Sequence, residues 1–131
     1  MSSSDKKPSQ ILEDWLASDI DSNGAFKYVL IEAYATDPDQ PDKENSKLLV
    51  RGRLSAEYHA DVFDVEEELL RAKGLDCQCL GGGRILHEPS KKYLKVYGYS
   101  VGFGLADHTK TVEVLKKKYP DYEIEWSNDG Y

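Results

Sequence analysis

Hydrophobic and polar positions follow two periods along this chain, and the switches between them mark its elements. Phe26 to Ala35 is a nearly unbroken apolar and aromatic run entered through the turn cluster Asp19-Ile20-Asp21-Ser22-Asn23-Gly24, which predicts a strand. Thr36 to Ser46 is polar and contains proline, as a loop does, and Lys47 to Leu54 reads as a second strand with Leu48, Val50, Gly52 and Leu54 on one face. The period then becomes helical. Val62, Val65, Leu69 and Ala72 form one stripe, Asp61 is suited to cap its start and Gly74 to stop it, so a helix is predicted over Val62 to Lys73.

Leu75 to Leu80 reads as a third strand, Gly81-Gly82-Gly83 as a structural turn, and Arg84 to His87 with Tyr93 to Ser100 as a hairpin across Glu88 to Lys92. Thr109 to Tyr119 predicts a second helix with Val112, Leu115 and Tyr119 on its stripe. Lys116 to Lys118 suit its negative end and Pro120 terminates it. Tyr122, Ile124 and Trp126 alternate as a last strand. Upstream, Leu12, Trp15 and Leu16 have helical spacing within Ile11 to Ala17, and Met1 to Gln10 reads as a disordered tail. The order implies a single α/β domain over residues 11–131, with a mixed β-sheet of about six strands packed by two helices.

At 131 residues the chain fits one domain able to bury its core without disulfide or metal support, and no feature calls for an obligate oligomer, so a monomer is expected. A formal charge of −7 argues against nucleic acid or an anionic membrane as the main partner, so an anionic ligand must meet local positive charge. No apolar stretch approaches membrane-spanning length and the N-terminus is polar, unlike a signal peptide, which leads us to expect a cytoplasmic protein with the nucleus also open to it. Cys77-Gln78-Cys79 matches neither a C-x-x-C redox pair nor a zinc pattern and reads as strand packing.

Candidate chemistry concentrates in two segments. Gly98-Tyr99-Ser100-Val101-Gly102-Phe103-Gly104 sets a hydroxyl among three glycines, and successive backbone N–H groups in such a turn form a concavity suited to a phosphoryl group. Tyr58-His59-Ala60-Asp61 places a histidine, the side chain that exchanges protons near neutrality, just before a helical pattern. Lys27 shares a strand face with Val29 and Ile31, where a charge is out of place unless the strand ends at a cleft mouth. Arg51, facing away from Leu48, Val50 and Leu54, and Arg84 are ordinary surface charges on their own evidence.

Several decoys fail. Gly98 to Gly102 satisfies G-x-S-x-G, but a nucleophile elbow needs a helix directly after it and a histidine later in the chain, whereas His59 precedes Ser100. The acidic turn at Asp19 has a calcium-loop alphabet but leads into a strand. Asp61 and Asp64 beside His59 are ordinary acids of a helical first turn, and His87 and His108 have no ligand spacing, so no metal is expected. The triple glycine matches neither G-x-G-x-x-G nor a Walker A loop.

Phe26 to Ile31, Ala56 to Asp61, Cys77 to Ile85, Val96 to Ser100 and Tyr119 to Tyr131, taken in order, closely resemble the janus/ocnus family of small phosphohistidine phosphatases. The resemblance covers about residues 19–131. It implies a mixed sheet with a helix on each face and hydrolysis of the phosphorus–nitrogen bond of phosphohistidine-containing proteins, without cofactor or metal. By position, His59 takes the active role, as general base toward water or as transient phosphoryl acceptor, and Ala60 beside it is expected to bind the phosphate. Ser100, Val101 and Gly102 form the phosphate cradle, Lys27 contacts the phosphate, and Arg51 and Arg84 line the site. Gly102 and Phe103 stand where the family has alanine and tyrosine, which keeps the amide donor but gives the turn more freedom to lose. A second expectation stays open, a non-catalytic phosphoprotein-binding module using the same cradle.

Overall fold

The computed structural model describes residues 6–129. In chain order they form α1 (Pro8–Asp14), β1 (Ser18–Ile20), β2 (Gly24–Thr36), β3 (Glu44–Arg53), α2 (His59–Ala72), β4 (Asp76–Glu88), a 3₁₀ turn at Pro89–Lys91, β5 (Tyr93–Tyr97), α3 (His108–Lys118) and β6 (Glu123–Trp126). The sheet order is β1-β3-β2-β4-β5-β6. β2 is its spine, antiparallel to both β3 and β4, while the edge strands β1 and β6 run parallel to β3 and β5. This is the six-stranded mixed α/β sheet that the pattern implies.

Alternation along β2 sorts the core into two layers. Val29, Ile31, Ala33 and Ala35 face α1 and α2 with Leu12, Val62, Phe63 and Leu70. Phe26, Tyr28 and Leu30 face the other way with Val50, Ile85, Val96 and the α3 residues Val112 and Leu115. Because helices cover both faces, β2 has no polar side and reads in sequence as a continuous apolar run. No helix among the described residues is long and apolar enough to cross a membrane.

The triple glycine is a correction to the turn expected there. β4 runs straight through it, with Leu80 bulged out where the pairing shifts between Leu30 and Ile31. Neighbouring chain occupies the space that side chains would need. A Cβ on Gly81 would lie 2.7 Å from the Ala106 amide nitrogen, and one on Gly83 would lie 2.5 Å from the Tyr97 carbonyl oxygen. Gly81 also has φ +148°, so the position needs glycine twice over.

Two further differences lie near the N-terminus. The first two residues of the acidic turn cluster belong with Ser18 to β1, whose three residues pair with Val50 to Gly52 and are too short to show a strand period. Pro8 to Gln10, expected in a disordered tail, open α1: the Ser9 amide and hydroxyl donate to Asp37 at 2.9 and 2.6 Å. The Lys47 ammonium caps the other end by donating to the carbonyls of Leu12, Glu13 and Trp15. The remainder of the expected tail, residues 1–5, lies outside the described residues, as do Gly130 and Tyr131.

Candidate active site

α2 begins at His59 because Tyr58 is still extended, with φ −128° and ψ 155°, and its amide donates to the Asp61 carboxylate at 2.8 Å. That contact closes the first turn and sets His59 as its first helical residue. The ring turns down onto β4, where Nε2 lies 2.8 Å from the Gly83 carbonyl oxygen. A carbonyl only accepts, so Nε2 carries the proton and Nδ1 keeps the lone pair. Nδ1 has no partner among the described residues. Gly82 makes this seat possible, since a Cβ there would lie 2.8 Å from His59 Cδ2.

The ring lines a cavity of about 600 Å³ together with Lys27, Glu57, Tyr58, Ala60, Ser100, Val101, Gly102 and Phe103. Burial holds the His59 pKa below the ordinary histidine value, the hydrogen bond to Gly83 opposes this, and the positive charges of Lys27 and Arg84 add to the depression. The imidazole is therefore neutral at neutral pH. Lys27 sits near the start of β2 and lines the cavity with His59 and Ala60 from the start of α2, which accounts for a charge on the face of Val29 and Ile31.

Ser100 and Gly104 close the facing loop by reciprocal amide–carbonyl bonds of 3.1 and 2.8 Å, and the Phe103 amide donates to Ser100 Oγ at 3.1 Å. This uses the amides at both ends of the loop and leaves those of Val101 and Gly102 at its exposed tip without acceptors among the described residues. The Ser100 hydroxyl proton is also left to donate. Phe103 anchors the loop by packing edge-on against Phe63 of α2, ring centroids 5.5 Å apart. Opposite the loop, the Ala60 amide in the first turn of α2 has no intrahelical acceptor and lies at the positive end of the helix. Loop amides, hydroxyl, helix end and Lys27 ammonium border one cavity with the His59 ring, an arrangement whose donors are chemically suited to a tetrahedral oxyanion.

Six of the eight residues singled out in the sequence thus meet in one cavity: Lys27, His59, Ala60, Ser100, Val101 and Gly102. Arg84 stands next to it, directly across from Lys27 on β4, and acts on His59 through its charge. Arg51 is placed elsewhere. Its guanidinium is buried, 3.0 Å from Glu66 of α2 and bonded to the carbonyls of Ala17 and Val50, and it borders a second cavity of about 380 Å³. Trp15 Nε1 donates to the same Glu66 carboxylate at 2.7 Å, so this cluster ties α1 and α2 to β3. The sequence reading took one face of β3 as core and the other as surface, whereas α2 covers the face that carries Arg51.

Three residues around the site, Glu57, Tyr58 and His108, do not stand out in the sequence. Glu57 and Tyr58 line the cavity immediately before His59, within a motif read for its histidine alone. His108 lies on the opposite sheet face, buried, with Nε2 2.8 Å from the Gly98 carbonyl oxygen and Nδ1 2.6 Å from the Tyr28 hydroxyl. It thereby holds the residue from which the phosphate-sized loop departs.

A family model described as the Janus/Ocnus family matches residues 13–123. The 14 kDa phosphohistidine phosphatases of Sus scrofa and Homo sapiens are each 50% identical to this chain over 113 residues, covering 86% of it and 90% of their own length. The sex-regulated protein janus-A of Drosophila yakuba is 54% identical over 112 residues, covering 86% of this chain and 78% of its own. The family match contains the strand end that carries Lys27, the helix start that carries His59 and the whole Ser100 to Gly104 loop, and the chain belongs to the Janus/Ocnus family.

Proposed function

We propose that this protein is a phosphohistidine phosphatase that hydrolyses the phosphorus–nitrogen bond with His59 as general base. The observation that carries the reading is the ring's fixed tautomer: Nε2–H is held on Gly83, and a free Nδ1 lies in a cavity with an anion-binding loop and Lys27. The identity with proteins named 14 kDa phosphohistidine phosphatase supports the choice of substrate.

Phosphate oxygens are received by the amides of Val101, Gly102 and Ala60, the Ser100 hydroxyl and the Lys27 ammonium. Their donors are preorganised for the charge that the transferring group spreads over its equatorial oxygens. Water attacks phosphorus while His59 Nδ1 takes its proton, and the resulting imidazolium keeps its bond to the Gly83 carbonyl, which gains strength with the charge. Lys27 stands where a metal phosphatase places a cation. We read the enzyme as metal-independent and as a cytoplasmic monomer.

The test is discharge of a phosphohistidine peptide followed by ³¹P NMR in excess EDTA, with a phosphoserine peptide alongside. The expected result is catalytic turnover of the phosphohistidine peptide, undiminished by the chelator. Stoichiometric binding without turnover would make the protein a phosphoprotein-binding module, and activity restored by one divalent metal would overturn the metal-independent reading.

A further inference from the structure

The oxyanion cavity contains an acid. Glu57 is the one carboxylate among its lining residues; it stands on the rim shared with the second cavity beside Arg51 and Arg53, is exposed, and makes no hydrogen bond or ion pair with the described residues. A carboxylate beside a phosphate site opposes the binding it borders, because like charges repel across a few ångströms. It fits a ligand that presents a cation next to its phosphate. Tyr58, with 63% of its surface exposed, supplies an aromatic wall in the same stretch of the lining.

We propose, resting on the phosphatase reading, that Glu57 determines specificity by accepting a hydrogen bond from the second ring nitrogen of the substrate's phosphohistidine, with Tyr58 flanking that ring. A phosphorylated imidazole protonated on its other nitrogen is a cation attached directly to a phosphate, and its N–H is the donor a carboxylate recognises. The assignment also supplies what the leaving group needs. Water's oxygen bonds to phosphorus as its proton passes to His59 Nδ1. The phosphorus–nitrogen bond breaks, and its electron pair stays on the ring nitrogen. The ring, already protonated on its second nitrogen and held there by Glu57, departs as neutral imidazole, and His59 returns its proton to solvent. A phosphate ester has no such N–H, so Glu57 offers it only repulsion.

The test is Glu57→Gln, which keeps size and polarity and removes the charge, measured with a phosphohistidine peptide and with inorganic phosphate as competitive inhibitor. The expected result is a fall in kcat/KM of about ten- to a hundredfold, the scale of a charge-assisted hydrogen bond. The inhibition constant for phosphate should stay unchanged or tighten, and Glu57→Asp should recover part of the loss. Weaker phosphate binding in parallel with the lost turnover would mean that Glu57 acts on the oxyanion site or the fold, and unchanged turnover would mean that it is a solvated surface acid; either overturns the proposal. A wild-type protein that binds phosphate but never discharges the peptide would refute the phosphatase reading instead.

Discussion

His59 and His108 are lodged against consecutive glycines of one strand, on opposite faces of the sheet. A Cβ on Gly82 would strike the first and a Cβ on Gly83 the second, each at 2.8 Å. Both rings are buried, both place Nε2 2.8 Å from a backbone carbonyl oxygen, and burial lowers both pKa values. They differ at the second nitrogen. Nδ1 of His108 accepts from the Tyr28 hydroxyl, whose oxygen in turn lies 3.0 Å from Thr111 Oγ1, so every polar atom of that ring is used inside the fold. His59 lines the cavity beside the Ser100 to Gly104 loop, and its Nδ1 has no hydrogen-bond partner among the described residues. Burial and a depressed pKa therefore do not distinguish a reactive histidine from a structural one; the partner of the remaining lone pair does.

Replacing the rings separates them most sharply. His59→Ala should lower phosphohistidine turnover by about 10²- to 10⁴-fold, the usual worth of a general base, with an unchanged circular dichroism spectrum. Wild-type turnover in a folded variant would remove His59 from the chemistry. Lys27→Ala should reduce kcat/KM by about 1.5–3 kcal/mol through loss of a charged donor to phosphate. It should also raise the His59 pKa, because the Lys27 charge is one cause of its depression. NMR titration of the ring checks the sign.

Gly82→Ala tests the seat itself. Its Cβ would lie 2.7 Å from the Tyr28 carbonyl oxygen as well as against His59, and backbone cannot retreat cheaply. We expect about 1–3 kcal/mol of lost stability from overpacking, read by denaturant unfolding, with a displaced His59 resonance. His108→Ala should have the smallest catalytic effect, less than about tenfold and expressed in KM through the loop that leaves Gly98. Its stability cost should be larger, about 1–3 kcal/mol for each buried group left unpaired. A catalytic loss matching that of His59→Ala would erase the distinction between the two rings.

The asymmetry was only partly legible in the sequence. The long strands and the existence of the two main helices follow from period, but the stripe read for α2 is the wrong face: Val62 is buried with Phe63 and Leu70, while Val65 and Leu69 are exposed. His59, Lys27 and the serine–glycine loop stand out by residue type. β1 was hidden because three residues cannot display alternation. The triple glycine read as a turn because a local pattern cannot show that His59, His108 and the 98–107 segment fill the space of its missing side chains. Arg51 read as surface because alternation reveals one buried face of a strand, and this sheet has two. His108 lacks metal spacing, and a tertiary hydrogen-bond network between α3, β2 and a distant loop leaves no trace in local order.

The central claim is that a neutral His59, tethered through Nε2, does the work through Nδ1. The most direct measurement follows the His59 ring by ¹⁵N-resolved NMR across pH and kcat/KM for a phosphohistidine peptide over the same range. A depressed pKa means that the ring stays neutral until the pH falls below the ordinary histidine value of about 6.5. Above that point activity should be flat with respect to His59. Below it, activity should decline along the same curve as the ring protonates, with the proton first held on Nε2. A rate that stays constant while His59 titrates, or a neutral ring that carries its proton on Nδ1, would contradict the account.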